Sequence, residues 1–253
     1  MPADLGYDAA FFRYVNASAT TAAQVVVPLF VGSLKPASVL DVGCGQGAWL
    51  AVWRAQGVDD VEGIDGEYVD RSRLLIPPER FQARDLSLPF DLGRRFSLVQ
   101  CLEVAEHLPR ASSGALVDCL TRHTDLVLFS AAPPGQGGHD HLNERSYDDW
   151  RAEFGSRDFL ALDYLRPRIR DQRQIAPWYR YNPLLYARRS VFAGLPPEVR
   201  SSLLAAESRV PDVAPLAYRL RKQLVRRLPV PLMTAIARVK ERLRRSGAPG
   251  PNP

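Results

Sequence analysis

Cysteine is scarce in this chain of 253 residues. The three cysteines, Cys44, Cys101 and Cys119, are odd in number and far apart in the sequence. This pattern excludes a small secreted scaffold held by disulfides, and it is typical of free thiols in a reducing compartment. We therefore expect a cytoplasmic protein, and its length is sufficient to bury a continuous core.

Long hydrophobic runs are also missing. The longest apolar stretch, 22–31, contains Gln24 and Pro28 and is about half as long as the roughly 20 residues that a bilayer crossing needs. We therefore predict neither a signal peptide nor a transmembrane helix. Hydrophobic residues make up 46% of the chain and charged residues 24%, which excludes general disorder and fibrous repeats.

The body of the chain has no excess of positive charge, whereas its C-terminal part is strongly basic. Residues 196–253 carry 12 Lys/Arg against 4 Asp/Glu, and residues 1–195 carry 21 against 24. The asymmetry favours either an anionic partner for the C-terminal part, meaning nucleic acid or a lipid surface, or a basic face that is simply solvated.

Strand-like and helical segments alternate along the first 195 residues. The predicted helices are 8–34, 48–56, 112–122 and 146–154. The predicted strands are 38–42, 61–64, 80–83, 96–102, 125–131, 159–165 and 183–188. This alternation predicts an α/β fold with a mainly parallel sheet and helices on both faces.

The sequence pattern changes after residue 195. Leucines recur every fourth residue among basic side chains, and a second apolar stripe follows Pro229 and Pro231, so we predict two amphipathic helices within 214–245. The stripe residues are Leu216, Leu220, Leu224, Leu228, Leu232, Ile236, Val239 and Leu243. The predicted parts of the chain are an N-terminal helical segment (1–35), an α/β core (36–195), a basic helical extension (196–246) and a disordered tail (247–253).

A glycine-rich turn follows the first predicted strand. Gly43, Gly45 and Gly47 alternate with other residues soon after Asp41, and glycine lets backbone amides approach a ligand closely. Dinucleotide sites usually have a different glycine spacing, and Asp41 would repel a pyrophosphate. The turn therefore favours a nucleotide-like ligand with a positive charge, such as a sulfonium that carries an α-amino group.

Acidic residues close the next two predicted strands. Asp65 ends the second strand, where a carboxylate can accept both ribose hydroxyls of an adenosine. Asp85 follows the third strand, where it could accept from the adenine amino group. The alternative is that Asp41, Asp65 and Asp85 only cap turns, but their placement at three successive strand ends favours a ligand site.

The same motifs resemble a known family. The phrases VLDVGCGQGAWL, VEGID, RDLSLPF and FSLVQCLEVAEHLP resemble the successive motifs of class I S-adenosylmethionine (SAM) dependent methyltransferases over about residues 36–135. The resemblance implies a Rossmann-like, seven-stranded sheet whose last strands form an antiparallel hairpin. It also implies that SAM is held by Asp41, Gly43, Gly45, Gly47, Asp65, Asp85 and Leu86. The phrases LEVAEHLP, PGQGG, HLNERSYDDW and WYRYN further resemble a bacterial subgroup associated with surface-glycan and natural-product sugar pathways.

Two carboxylates and a histidine follow the fourth predicted strand. A helical turn would place Glu103, Glu106 and His107 on one side, and such donors suit Mg²⁺ or another divalent cation. The spacing resembles the metal-binding E-x-x-E-H of ubiquinone-pathway O-methyltransferases and small-RNA 2′-O-methyltransferases. The RNA enzymes add a further histidine, which implies His141 as the fourth ligand, although their Phe-Glu-Trp is absent here. The alternative is local capping and packing without a metal.

Three histidines are candidate general bases for a hydroxyl acceptor: His107, His139 and His141. His139 lies in a glycine-rich loop, where it either reaches into a site or is solvated. Residues 178–182, Trp-Tyr-Arg-Tyr-Asn, are typical of a wall that binds a sugar. The alternative is that Trp178 and Tyr181 only cover the edge of the sheet. A phosphate on the acceptor is the predicted partner of the arginines Arg166, Arg168, Arg170 and Arg173, which otherwise face water.

These features predict a SAM-dependent methyltransferase that O-methylates a carbohydrate or a glycosylated natural product, with or without a divalent cation. One alternative is an RNA 2′-O-methyltransferase, but Tyr218 is the only aromatic residue of the extension, so we do not expect a nucleic-acid partner. The other alternative is a membrane- or partner-docking protein with a vestigial methyltransferase core. Peripheral membrane contact would then involve 214–245.

Overall fold

The structure is a computed structural model that describes residues 9–138 and 140–226. The predictions for His139, for the second basic helix and for the C-terminal tail lie outside the described residues.

Seven strands form one sheet in the order β3-β2-β1-β4-β5-β7-β6. Strands β1 to β5 pair in parallel, whereas β7 is antiparallel to both β5 and β6. The strands are β1 (Ser38–Val42), β2 (Asp60–Asp65), β3 (Phe81–Ala83), β4 (Leu98–Leu102), β5 (Leu126–Ser130), β6 (Phe159–Leu162) and β7 (Leu184–Arg188). The predicted seven-stranded sheet with an antiparallel pair at its end is confirmed.

Helices cover both faces of the sheet, which has a hydrophobic cluster on each side. Val39 belongs to the cluster that contains α1 and α2, whereas its neighbour Leu40 belongs to the cluster that contains α3 and α4, because successive side chains of a strand point to opposite faces. The helices are α1 (Ala9–Ser33), α2 (Ala48–Ala55), α3 (Ser113–His123), α4 (Tyr147–Gly155), α5 (Arg166–Ile169), α6 (Pro177–Tyr181), α7 (Arg189–Phe192), α8 (Pro197–Arg200) and α9 (Leu216–Val225). All three cysteines are buried and free, as predicted.

Five strands, β3 to β7, are shorter than predicted, and the structure shows what ends two of them, β4 and β6. The amide of Phe96 donates to the carbonyl of His123, at the end of α3, so β4 begins only at Leu98. At the other end of the sheet, β6 stops at Leu162 because the chain turns into α5, and Asp163 pairs with Arg166 there.

Helix α1 is long and apolar. Its 19-residue segment Val15–Ser33 has a mean hydropathy of 1.3 and is long and apolar enough to cross a bilayer by length and composition alone. The expectation that no such segment exists is therefore not confirmed. In this structure Val26 and Phe30 are fully buried, and the Phe30 ring meets the edge of Trp53 on α2, so α1 contributes to the core.

Candidate active site

The carboxyl ends of the parallel strands bring the predicted site residues to one edge of the sheet. Asp41 in β1 is paired with Gln100 of β4 and Gly63 of β2, and Asp65 ends β2. Glu103 follows β4 directly. In an open α/β sheet this edge is where ligands bind.

The turn after β1 has a backbone conformation that favours glycine. Gly43, Gly45 and Gly47 have positive φ angles of 83°, 53° and 86°, a region that residues with a side chain rarely adopt. A side chain at Gly43 would also overlap Val104. The alternating glycines of the sequence therefore encode the shape of this turn, and α2 begins immediately after it.

Asp65 ties the glycine turn to the end of β2. Its carboxylate accepts hydrogen bonds from the amide of Gly45 (2.6 Å), the amide of Gly66 (2.6 Å) and the hydroxyl of Tyr68. Burial raises the pKa of Asp65, and these three donors oppose the rise. A ribose diol would compete with the Tyr68 hydroxyl for this carboxylate.

Asp41 lies beneath the turn and is buried. Its Oδ2 has no hydrogen-bond partner among the described residues. Burial raises the pKa of Asp41 to about 8, so the carboxyl group is mostly protonated at neutral pH when no ligand is bound. A cationic ligand would favour its ionised form, because an opposite charge nearby lowers the pKa of a carboxyl group.

Asp85 and Leu86 follow β3, at the position expected for an adenine contact. The exposed Asp85 accepts from the amide (2.9 Å) and hydroxyl (2.6 Å) of Ser87, which lowers its pKa. Leu86 is buried beside Phe90. Asp85 thus shapes a turn, and its role at an adenine stays a prediction.

Glu103 has a left-handed backbone conformation, with a φ of 57°, and lies outside the 3₁₀ turn Ala105–His107. Its carboxylate accepts from Asn182 Nδ2 (3.0 and 3.2 Å) and from Gln136 Nε2 (2.8 Å). Burial raises its pKa, and the two amides oppose the rise. The prediction that one helical turn places Glu103, Glu106 and His107 on the same side is therefore wrong. Glu103 lies ahead of the 3₁₀ turn, and two side-chain amides hold its carboxylate.

Glu106, His107 and His141 form a cluster. Each offers one ligand atom, and these atoms all lie within 4.8 Å of one another. The cluster is assembled because the amides of Leu142 (2.8 Å) and Asn143 (3.0 Å) donate to the carbonyl oxygen of Glu106. Three of the four predicted metal ligands are thus together, and Glu103 is not one of these three.

The carboxyl group of Glu106 is fully enclosed. Burial, and next the Glu103 carboxylate, raise the pKa of Glu106 well above its usual range, and its Oε2 has no hydrogen-bond partner among the described residues. Such a group is neutral unless a positive charge is placed beside it.

Glu144 is a site residue that the sequence analysis missed. Its carboxylate lies 2.9 Å from Nδ1 of His141 and accepts from the amides of Gly135 (2.7 Å) and Gly137 (2.8 Å). Burial opposes ionisation, but these hydrogen bonds lower the pKa of Glu144 overall. An ionised carboxylate only accepts, so Nδ1 carries the proton and the lone pair of Nε2 is left for the site. The only sequence signal is a carboxylate three residues after His141.

Helix α9 of the basic extension covers this side of the site. The guanidinium of Arg221 donates to the carbonyl oxygen of Gln136 (3.2 Å). A side chain at Gly135 would overlap the carbonyl oxygen of Lys222. The ring of Tyr218 packs on Tyr181 of α6, with 5.9 Å between centroids. The predicted boundary between core and extension at residue 195 therefore does not separate the extension from the site.

The predicted acceptor wall lies on α6. Tyr179 and Tyr181 are buried, the guanidinium of Arg180 lies 4.6 Å from the centroid of the Tyr181 ring, and Asn182 joins the Glu103 network. The hydroxyl of Tyr147 donates to Asn182 Oδ1 (2.8 Å), so this amide is fixed from both ends.

Arg166, one of the four arginines predicted to accept a phosphate, has a structural role instead. Its guanidinium is fully buried and donates to both carboxylate oxygens of Asp163 (2.7 and 2.8 Å) and to the carbonyl oxygen of Pro211 (3.0 Å). It therefore has no face left for a phosphate, whereas Arg170 and Arg173 are exposed.

Comparison with known proteins places this fold and site in a family. Residues 15–165 match the family described as methyltransferase domain. Similar solved structures include the magnesium protoporphyrin IX methyltransferase of Synechocystis PCC 6803, with 20% identity over 69% of this chain and 84% of that chain and a TM-score of 0.52. They also include a sugar N-methyltransferase from a Streptoalloteichus species, with 18% identity over 68% of this chain and 87% of that chain and a TM-score of 0.51.

No curated protein sequence matches the chain significantly. The solved structures share its fold at low identity, whereas the family match spans more than half of the chain. The chain belongs to the methyltransferase domain family and is a class I SAM-dependent methyltransferase.

Proposed function

We propose that this protein transfers the methyl group of SAM to a hydroxyl group of a carbohydrate or glycosylated natural product, assisted by a divalent cation. The observation that carries this proposal is the enclosed Glu106, His107 and His141 cluster at the same sheet edge as the glycine turn. An amine acceptor, once it is neutral, would not require a cation, because its lone pair is then already nucleophilic.

The donor side of the site consists of the glycine turn with Asp41 and Asp65. SAM is cationic at its sulfur and at its amino group, and Asp41 is a buried carboxyl group with one unpartnered oxygen. Glycines in this turn let its backbone amides approach the ligand closely. Asp41 would balance the positive charge, and Asp65 would bind the ribose in place of the Tyr68 hydroxyl.

The residues of the cluster fit a divalent cation. Two imidazole nitrogens and one carboxylate oxygen are a common donor set for such ions, and an ion would give the enclosed Glu106 its missing partner. When bound, a divalent cation lowers the pKa of a coordinated hydroxyl group. Glu144 would hold the His141 ring with Nε2 directed to the ion, as carboxylates commonly do for metal-binding histidines.

The acceptor would lie between the cluster and α6. Methyl transfer is an in-line displacement at the sulfonium methyl group, and positioning alone can lower such a barrier by about 7–11 kcal/mol. Arg180 lacks a carboxylate partner among the described residues and has a buried, unpartnered Nε, so its guanidinium is available to acceptor oxygens. The shared fold of the Streptoalloteichus sugar N-methyltransferase supports an acceptor of the sugar class.

A labelled-methyl assay tests this function. Purified protein is incubated with methyl-labelled SAM and a panel of free, nucleotide-linked and lipid-linked sugars, and the product is located by mass spectrometry and NMR. We expect a methyl ether, loss of transfer in excess EDTA, and recovery with Mg²⁺ or Mn²⁺. A methylamine product would contradict the proposed mechanism. So would full methyl transfer in excess EDTA, because His141 would then act as a general base without a cation.

A further inference from the structure

Helix α9 exposes apolar side chains and buries a cation, which is the reverse of an ordinary surface helix. Its leucines Leu216, Leu220 and Leu224 are 63%, 50% and 67% exposed, whereas Lys222 is only 5% exposed. The ammonium of Lys222 pairs with Asp212 at 2.6 Å on the inner side. Surface helices normally bury their apolar stripe and expose their cations, so the outward leucines require an explanation.

Helix α9 cannot rotate about its axis to bury these leucines without losing the contacts of its inner side. The inner side carries the Tyr218–Tyr181 ring contact, the Arg221 hydrogen bond to Gln136 and the Lys222 ion pair. The Arg221 hydrogen bond holds α9 on the loop whose amides donate to Glu144, and the other two contacts hold it to α6 and to Asp212, so the orientation of α9 is fixed.

Charge identifies the kind of surface that suits the exposed side. From residue 216 to the end of the sequence there are ten Lys/Arg and a single acidic residue, Glu241. Arg219 is exposed next to Leu216 and Leu220 on the helix, and Arg226, which follows the helix, is also exposed. Packing against a second copy, or against residues 227–253, would bring like charges together, whereas an anionic lipid surface would cover the leucines and neutralise the cations.

We propose that the outer face of α9, formed by Leu216, Arg219, Leu220 and Leu224, docks on an anionic membrane surface. The leucines insert at the level of the lipid headgroups, and Arg219 pairs with a lipid phosphate. The docking does not depend on the identity of the acceptor.

Docking would have a consequence for the reaction. Because the inner face of α9 contacts the 135–137 loop, the acceptor side of the site lies next to the membrane, where a lipid-linked sugar would be presented. This consequence, unlike the docking itself, rests on the proposed function.

The test is co-sedimentation of the full-length protein with sucrose-loaded vesicles of phosphatidylcholine, with and without phosphatidylglycerol. A triple variant, Leu216→Gln, Leu220→Gln and Leu224→Gln, removes the apolar stripe without touching the inner face. The matched control changes three leucines exposed elsewhere: Leu75→Gln, Leu88→Gln and Leu203→Gln (48%, 59% and 43% exposed). Melting temperature and SAM binding by each variant show that it is folded.

We expect the wild type and the control to bind phosphatidylglycerol vesicles, and the α9 triple variant to bind roughly tenfold more weakly or worse. Wild-type binding should also fall when salt is raised from about 0.1 M to about 1 M, because screening weakens the attraction. Equal binding of the two triple variants, or no binding of the wild type, would overturn the proposal. The proposal would also be overturned if the α9 triple variant lowered the melting temperature or dissociated a dimer without changing vesicle binding, because protein would then cover the α9 leucines. Loss of methyl transfer to soluble sugars would concern only the proposed function.

Discussion

The proposed donor and acceptor sides of the site are built in different ways. The donor side consists of the end of β1, the glycine turn and the end of β2, all between residues 41 and 66, and its key carboxyl group, Asp41, has an unpartnered oxygen. The acceptor side combines parts of four distant segments, and its carboxylates Glu103 and Glu144 are held by amides and an imidazole. The donor side is thus left open to a charged ligand, whereas the acceptor side is a framework that fixes the geometry of a few side chains.

This difference predicts that the two sides can be disabled independently, and the largest effect concerns the cation. Glu106→Gln and His107→Ala should each weaken Mn²⁺ binding by about 100-fold or more, since they remove a ligand, while leaving SAM affinity nearly unchanged. Electron paramagnetic resonance measures free Mn²⁺, and calorimetry measures SAM binding.

The reciprocal variant is Asp41→Asn, which should weaken SAM binding and preserve Mn²⁺ binding. If any of these three variants lost SAM binding and Mn²⁺ binding together, the two sides would form one coupled unit, and the comparison would fail.

A smaller effect tests the framework of the acceptor side. Glu144→Gln should weaken Mn²⁺ binding by about 10- to 100-fold, because the amide no longer fixes the proton on Nδ1 of His141. Glu153→Gln is the matched control, since Glu153 only pairs with Arg145 and Arg157 among the described residues. If the two variants bind Mn²⁺ equally well, Glu144 is not a positioning residue for His141.

The last effect is on stability and not on binding, and it concerns the contact between α9 and the 135–137 loop. Gly57→Ala should cost about 1 kcal/mol of unfolding free energy, because Gly57 has a φ of 88° but open space around it. Gly135→Ala should cost about 1–3 kcal/mol more, because the added methyl group also overlaps Lys222. Urea unfolding measures both values. Equal costs would mean that α9 is not packed tightly on this loop.

The shape of the glycine turn and the placement of the two carboxylates beside it could be predicted from the sequence because their determinants are local. The positive φ angles of Gly43, Gly45 and Gly47 are visible as alternating glycines, and strand ends that share one edge bring Asp41 and Asp65 together. Asp85 illustrates the limit, because its side chain accepts from Ser87, a local competitor that strand order does not show.

The acceptor side could be predicted only in part. The spacing of Glu106 and His107 pointed to a cation site, but Glu103 adopts a left-handed conformation and is held by Asn182, 79 residues away. The helix α9 was predicted, but the role of Glu144 and the packing of α9 on the 135–137 loop were missed, because both come from contacts with Gly135 and Gly137, which no sequence period encodes. The leucines of α9 suited both a buried and an exposed face, and only the structure distinguishes the two.

The most direct test of the account is a calorimetric titration of SAM into wild-type and Asp41→Asn protein between about pH 6 and pH 7.5, where the α-amino group of SAM is still largely protonated. Asp41 is mostly protonated in the free protein, with a pKa of about 8, and ionised in the complex, so binding should release a proton. The affinity of the wild type should rise by up to about tenfold per pH unit, and Asp41→Asn should bind weakly and with little dependence on pH. Equal affinities of the two proteins, or a wild-type affinity that does not change with pH, would contradict a cationic donor held above Asp41.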